Sequence, residues 1–114
     1  MNSTIRRVVI ALLGLAPSLK AQTFSVGAEH FLLNGRTFQI IGGEMHYARI
    51  PREYWHDRLL KARAMGLNTV ATYVFWNVHE PAPDRFNFEE MADVAAFVRE
   101  AQQVGLWVIL RPGP

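Results

Sequence analysis

Residues 66–76 read Gly-Leu-Asn-Thr-Val-Ala-Thr-Tyr-Val-Phe-Trp, and residues 105–110 read Gly-Leu-Trp-Val-Ile-Leu. Each begins with a glycine suited to the left-handed conformation that ends a helix. The leucine that follows can make the apolar contact of a Schellman motif. From Thr69 to Trp76 the run of β-branched and aromatic residues is almost unbroken, as a parallel strand covered on both faces requires. From Trp107 to Leu110 the pattern predicts a second buried strand. Gly66 and Gly105 lie 39 positions apart, so helix, Gly-Leu and apolar strand recur as a β/α repeat.

The helices lie upstream of each glycine. Ile50-Pro51 interrupts an extended pattern, and proline suits a first helical position. Trp55, Leu59 and Ala62 then fall at i, i+4 and i+7 on one face. Before the second glycine, Val94, Phe97, Val98, Ala101 and Val104 have helical spacing. Between the first strand and this helix, Pro81 and Pro83 mark a turn region. Earlier still, Phe31-Leu32-Leu33, Asn34-Gly35 and the run from Arg36 to Ile41 predict a β-hairpin, because both turn residues tolerate positive φ in a type I′ turn.

Repeated β/α units belong to an open doubly wound sheet or to a closed barrel. Neither strand leads into a glycine-rich phosphate loop. The pair Gly42-Gly43 lacks the remaining spacing of a dinucleotide fingerprint. The strand ends carry Glu44, His46, Tyr47 and Arg49, then Tyr73, Trp76, Asn77, His79 and Glu80, then Arg111. These types suit a sugar, whose ring faces stack on aromatics and whose hydroxyls meet carboxylate, amide and guanidinium groups. In a barrel such positions lie at the C-terminal face of the strands, where sites are built.

The 114 residues are half hydrophobic and 19% charged, a globular composition, but a complete (β/α)8 barrel needs about 250 residues. The pI of about 9.4 owes much to a leader. Arg6 and Arg7 precede an apolar run from Val8 to Ala16 and then Pro17, the pattern of a signal peptide over residues 1–21. The run is short for a bilayer span, and an uncleaved tether is the other reading. Removing the leader takes away three of the twelve basic residues and none of the ten acidic ones, leaving a net charge of −1. No basic patch then points to nucleic acid or to an anionic membrane. With no cysteine, disulfides and thiolate metal sites are excluded, and an oxidising, secreted or periplasmic location is permitted.

The strand ends resemble glycoside hydrolase family 35. The likeness runs through Gly-Gly-Glu-Met-His-Tyr-Ala-Arg-Ile-Pro (residues 42–51), Tyr-Trp-His-Asp-Arg-Leu (54–59), Gly-Leu-Asn-Thr-Val (66–70), Tyr-Val-Phe-Trp-Asn-Val-His-Glu-Pro (73–81) and Gly-Leu-Trp-Val-Ile-Leu-Arg-Pro-Gly-Pro (105–114). The resemblance implies a retaining exo-β-galactosidase that needs no cofactor and acts on a β-galactoside substrate. It also implies a partial (β/α)8 TIM barrel over residues 22–114: three strands and two helices preceded by a β-hairpin. In the family the acid/base glutamate lies in an Asn-Glu-Tyr stretch after strand four, and the nucleophile follows a later strand. A further glutamate that contacts galactose lies in a Tyr-Ile-Cys-Ala-Glu-Trp segment. None of these stretches is among the 114 residues. The expected partner is therefore the C-terminal remainder of the barrel. The segment alone is expected to be inactive and, with an open sheet edge, prone to aggregation. A non-catalytic galactose-binding remnant is the alternative.

By the resemblance Tyr73 contacts a galactose hydroxyl; without it, core packing and ligand contact are equally open. Trp76, at a strand end, is placed for sugar contact or packing. Glu80 joins them as a candidate contact, though no partner carboxylate accompanies it, and bracing its loop against Arg111, Arg49 or a backbone amide is the alternative. Glu44 is expected to form an ion pair or hydrogen bond near the pocket. His46 and His79 lack metal-ligand spacing and read as neutral, hydrogen-bonded histidines that support the pocket with Tyr47, Arg49, Asn77 and Arg111. Asp57, inside the first helix, is expected to form a helix-face ion pair, and Trp107 to pack.

Overall fold

A computed structural model describes residues 21–113. Apart from Ala21, the leader lies outside the described residues. The rest forms two compact units that divide between Gln39 and Ile40.

The first unit is an antiparallel meander. Strands β1 (Phe24–Val26), β2 (Phe31–Leu33) and β3 (Arg36–Phe38) lie in the order β1-β2-β3. Asn34 and Gly35 have φ of 53° and 74°, the doubly left-handed turn their types favour. The Asn34 side chain does more than turn the chain: its Oδ1 accepts from the Thr23 N–H at 2.9 Å, and its own N–H donates to Thr23 O at 2.8 Å. That pair aligns β1, a strand the sequence pattern does not predict. Phe24 stacks on Phe31 and meets Phe38 edge-on. The hairpin is shorter than expected, since β3 ends at Phe38. In the second unit the Ile41 N–H donates to Asn68 Oδ1 and Ile41 O accepts from the Asn68 N–H.

The second unit is α/β. Strands β4 (Gly42–Glu44), β5 (Thr69–Phe75) and β6 (Trp107–Gly113) are parallel, in the order β4-β5-β6. Helix α1 (Trp55–Ala64) joins the first two. A four-residue helix α2 (Trp76–His79) follows β5 directly, so the strand stops one residue earlier than the apolar run suggests. Helix α3 (Val94–Gln103) precedes the third strand. Pro51 precedes a 3-10 turn, Arg52–Tyr54, and α1 proper starts at Trp55.

Both long helices close alike. At the end of α1, Gly66 has φ 94°, its N–H donates to Arg63 O and the Leu67 N–H reaches Ala62 O. At the end of α3, Gly105 has φ 78°, with its N–H to Gln102 O and the Leu106 N–H to Ala101 O. These are the paired bonds of the Schellman motif, which satisfy carbonyls the helix leaves orphaned. At its other end α3 is capped by Asp93, whose Oδ1 accepts from the Ala96 N–H at 2.8 Å.

The core lies between the helices and one sheet face: Tyr47, Trp55, Leu59, Ala62, Val70, Ala96, Phe97, Ala101 and Leu106. The expected helix faces supply it. Strand β6 departs from the buried strand the sequence suggests, because Trp107, Ile109 and Leu110 are 37–46% exposed. It is terminal in the sheet order, and side chains on an edge strand lose the cover of a neighbouring strand and its helix. Only β5, between two strands, approaches the covering its sequence requires.

Candidate functional site

Parallel pairing sorts the strand-end residues by face. Glu44 is opposite Ala71, and Tyr73 is opposite Arg111. Side chains alternate along a strand, so Glu44, Ala71, Tyr73, Ile109 and Arg111 share one face, whereas Val70 and Thr72 turn to the other. One residue from each strand thus reaches a common place.

There Arg111 is the hub. Its Nη1 donates to Glu44 Oε1, an ion pair, and its Nη2 donates to the Tyr73 hydroxyl at 2.5 Å. The guanidinium carbon lies 4.1 Å from the Tyr73 ring centroid, so one planar cation serves a carboxylate, a phenol oxygen and an aromatic ring. His46 braces the group from beneath: Nδ1 accepts from the Tyr73 backbone N–H at 3.3 Å, which in the neutral ring leaves the proton on Nε2, 3.6 Å from Glu44 Oε2. The imidazole packs against Tyr73 and Phe75, and Arg49 places its guanidinium carbon 5.0 Å from the Phe75 ring centroid. Phe75 was not singled out from the sequence, although it stands two residues after Tyr73 on the same face.

A second cluster contains Tyr47 and His79, both 0% exposed. Tyr47 Oη and His79 Nε2 are 2.5 Å apart, and His79 Nδ1 lies 3.0 Å from Asn87 O. A carbonyl only accepts, so Nδ1 carries the proton and Nε2 accepts from the phenol. The Tyr47 ring meets Trp55, His79 and Phe97. The Trp55 indole N–H is shared between Tyr47 O and Ile50 O. Burial pushes the Tyr47 phenol above its ordinary pKa. Phe88 stacks on His79, so the loop after α2 is held from inside.

Trp76 and Glu80 form a third group on that loop. Glu80 Oε2 accepts from the Trp76 indole N–H at 2.5 Å, and Oε1 accepts from the Asp84 backbone N–H at 3.0 Å. The bracing is to an indole and a backbone amide; the carboxylate partner of Arg111 is Glu44, and Arg49 lies over Phe75. Trp76 is 45% exposed and meets Phe86 edge-on. Asn77 is exposed on α2. Asp57 stands apart on α1, where Lys61 four residues on and the adjacent Arg58 pair with it. The hydrogen bond from Lys61 lowers its carboxyl pKa first, aided by the charges of Lys61 and Arg58.

Comparison with known proteins identifies the family. The sequence profile of Glycosyl hydrolases family 35 matches residues 30–114. The chain is 49% identical to a beta-galactosidase of Xanthomonas manihotis over all of its own length and 20% of that protein's. It is 53% identical to the mouse beta-galactosidase-1-like protein 3, across 84% of this chain and 15% of the relative. With human beta-galactosidase the identity is 46%, across 94% of this chain and 16% of the relative. The chain thus spans a fifth or less of the length of these relatives, and it belongs to glycosyl hydrolase family 35.

Proposed function

We propose that these residues are the N-terminal part of a (β/α)8 barrel whose whole protein is a retaining exo-β-galactosidase, removing terminal β-linked galactose from glycans or oligosaccharides. The observation that carries this reading is the convergence of Glu44, Tyr73 and Arg111 from three parallel strands onto one face at their C-terminal ends. Barrel sites are assembled at that end. Relatives named beta-galactosidase support the choice of sugar.

In this reading Tyr73 contacts a galactose hydroxyl, while Trp76 offers an exposed aromatic face and Glu80 the remaining lone pair of each oxygen. Glu44, His46, Arg49, Asn77 and Arg111 support the pocket, and Tyr47 and His79 hold the loop that bears Trp76 and Glu80. Retention needs two carboxyl groups about 5 Å apart, one nucleophile and one acid/base. Glu44 is committed to Arg111, and Glu80 to Trp76 and Asp84, so both serve the scaffold and the reacting pair comes from other stretches of the barrel. Residues 22–114 alone are then inactive. The leader pattern supports a secreted or periplasmic protein, and among the described residues no helix is long and apolar enough to cross a membrane.

The test is turnover of a chromogenic β-galactoside. The whole protein should hydrolyse it with retention at the anomeric carbon, and residues 22–114 should not. Failure of the whole protein to act on any β-galactoside would overturn the reading. Saturable galactose binding by residues 22–114 would favour a binding remnant.

A further inference from the structure

We propose that Arg111 is a positioning residue that fixes the Tyr73 hydroxyl as a hydrogen-bond donor toward the sugar; the inference rests on the galactosidase reading above. A guanidinium has five N–H donors and no acceptor. At the 2.5 Å contact between Nη2 and Tyr73 Oη the phenol oxygen must therefore accept. Its own proton remains, and among the described residues nothing accepts it. The site thus presents a phenol O–H left to donate beside an anchored cation.

Three restraints keep that cation still. Glu44 holds Nη1, the Tyr73 ring lies 4.1 Å from the guanidinium carbon, and Arg111 pairs with Tyr73 across the parallel ladder. The Tyr73 backbone is held in turn by His46 Nδ1. A charged donor bonded to the phenol oxygen polarises the O–H, strengthening the bond it gives to a ligand. Tyr73 then reads a sugar oxygen as an acceptor. Lysine cannot reproduce this, because a single ammonium lacks the planar fork that reaches carboxylate and phenol together.

A double-mutant cycle in the whole protein tests the coupling. With an aryl β-galactoside, Y73F should lower kcat/KM by ~10- to 100-fold, the loss of a strong hydrogen bond. R111K should lower it by ~10-fold when Tyr73 is present and by less than ~2-fold in the Y73F background, since its effect passes through the phenol. Equal losses for R111K in both backgrounds would mean that Arg111 serves only the strand ends, and would overturn the proposal while leaving the galactosidase reading intact. Should R111K not accumulate, E44A, which removes the guanidinium's other anchor, takes its place in the cycle: a loss confined to the Tyr73 background supports the proposal, and equal losses overturn it. Absence of turnover in the unsubstituted protein would overturn the reading and this proposal with it.

Discussion

Among the described residues, two tyrosine–histidine clusters have opposite surroundings. Tyr47 and His79 are themselves fully buried, phenol bonded to imidazole and rings packed on Trp55 and Phe97, with the imidazole held to the carbonyl of Asn87 in an exposed loop. Around Tyr73 and His46 the partners include an ion pair at the strand ends, with Arg111 and Glu44 41% and 56% exposed. Among the described residues no buried side-chain nitrogen or oxygen lacks a hydrogen-bond partner, as a closed cluster requires. The same residue types thus do different work. Closure turns a Tyr–His pair into a pin for a loop, whereas in the function proposed above the open cluster leaves a phenol to meet a ligand. The segment from Tyr73 to Pro81 mixes the two kinds, with Tyr73 on the open face and His79 in the closed core.

Breaking the closed cluster should have the largest effect. Trp55 is fully buried, donates to two carbonyls and meets Phe97 and Tyr47 edge-on. W55A in the whole protein should cost ~3–5 kcal/mol of stability by the usual measure for deleting a large core aromatic. Denaturant unfolding reads this directly; a loss no greater than that of a surface substitution would show that the cluster is not the core.

A gentler change sharpens the contrast. Y47F leaves His79 Nε2 buried without its donor, a loss of ~1–3 kcal/mol at neutral pH. The loss should shrink in alkali. With the folded Tyr47 phenol raised by burial, the unfolded phenol ionises first, near pH 10. The stability due to Tyr47 is thus complete below that pH and lost as pH rises through the raised folded value. Denaturation curves of the two proteins should converge above about pH 10; a constant gap would mean that Tyr47 does not hold its proton in the folded state.

Outside both clusters the effect should be smallest. Asp57 is half exposed on α1 and pairs with Lys61 and Arg58. Its lowered carboxyl pKa makes its contribution present above the ordinary carboxylate value and lost as pH falls through the lowered one. D57N should shift the thermal midpoint only slightly at neutral pH, and high salt should abolish the shift because exposed pairs are screened. A large, salt-insensitive shift would contradict an exposed pairing.

Much of this architecture was legible in the sequence. The Gly-Leu steps after α1 and α3 set both helix ends, the face of Trp55, Leu59 and Ala62 forms the core, and Asn34-Gly35 makes its turn. Register was not legible. The 39-residue spacing of Gly66 and Gly105 places Tyr73 opposite Pro112, whereas the ladder pairs Tyr73 with Arg111. Asn68 accounts for the difference: it adds one residue before β5, its Oδ1 accepts from the Ile41 N–H and Thr69 Oγ1, and its carbonyl accepts from the Trp107 N–H. A shift of one residue exchanges the faces of a strand, so the repeat spacing alone sets Arg111 opposite Thr72, while the fold sets it opposite Tyr73. The four-residue helix α2 was hidden too, because Trp76 reads as the last residue of an apolar strand.

The most direct measurement compares Y73F with Y47F in the whole protein, recording kcat/KM on a β-galactoside and the denaturation midpoint of each. Y73F should lose ~10- to 100-fold in kcat/KM with its midpoint unchanged, while Y47F should lose stability and lose less in kcat/KM than Y73F, because it reaches the pocket only through the loop it holds. Full turnover by Y73F, or a selective loss of turnover by Y47F, would contradict the division between an open site and a closed pin.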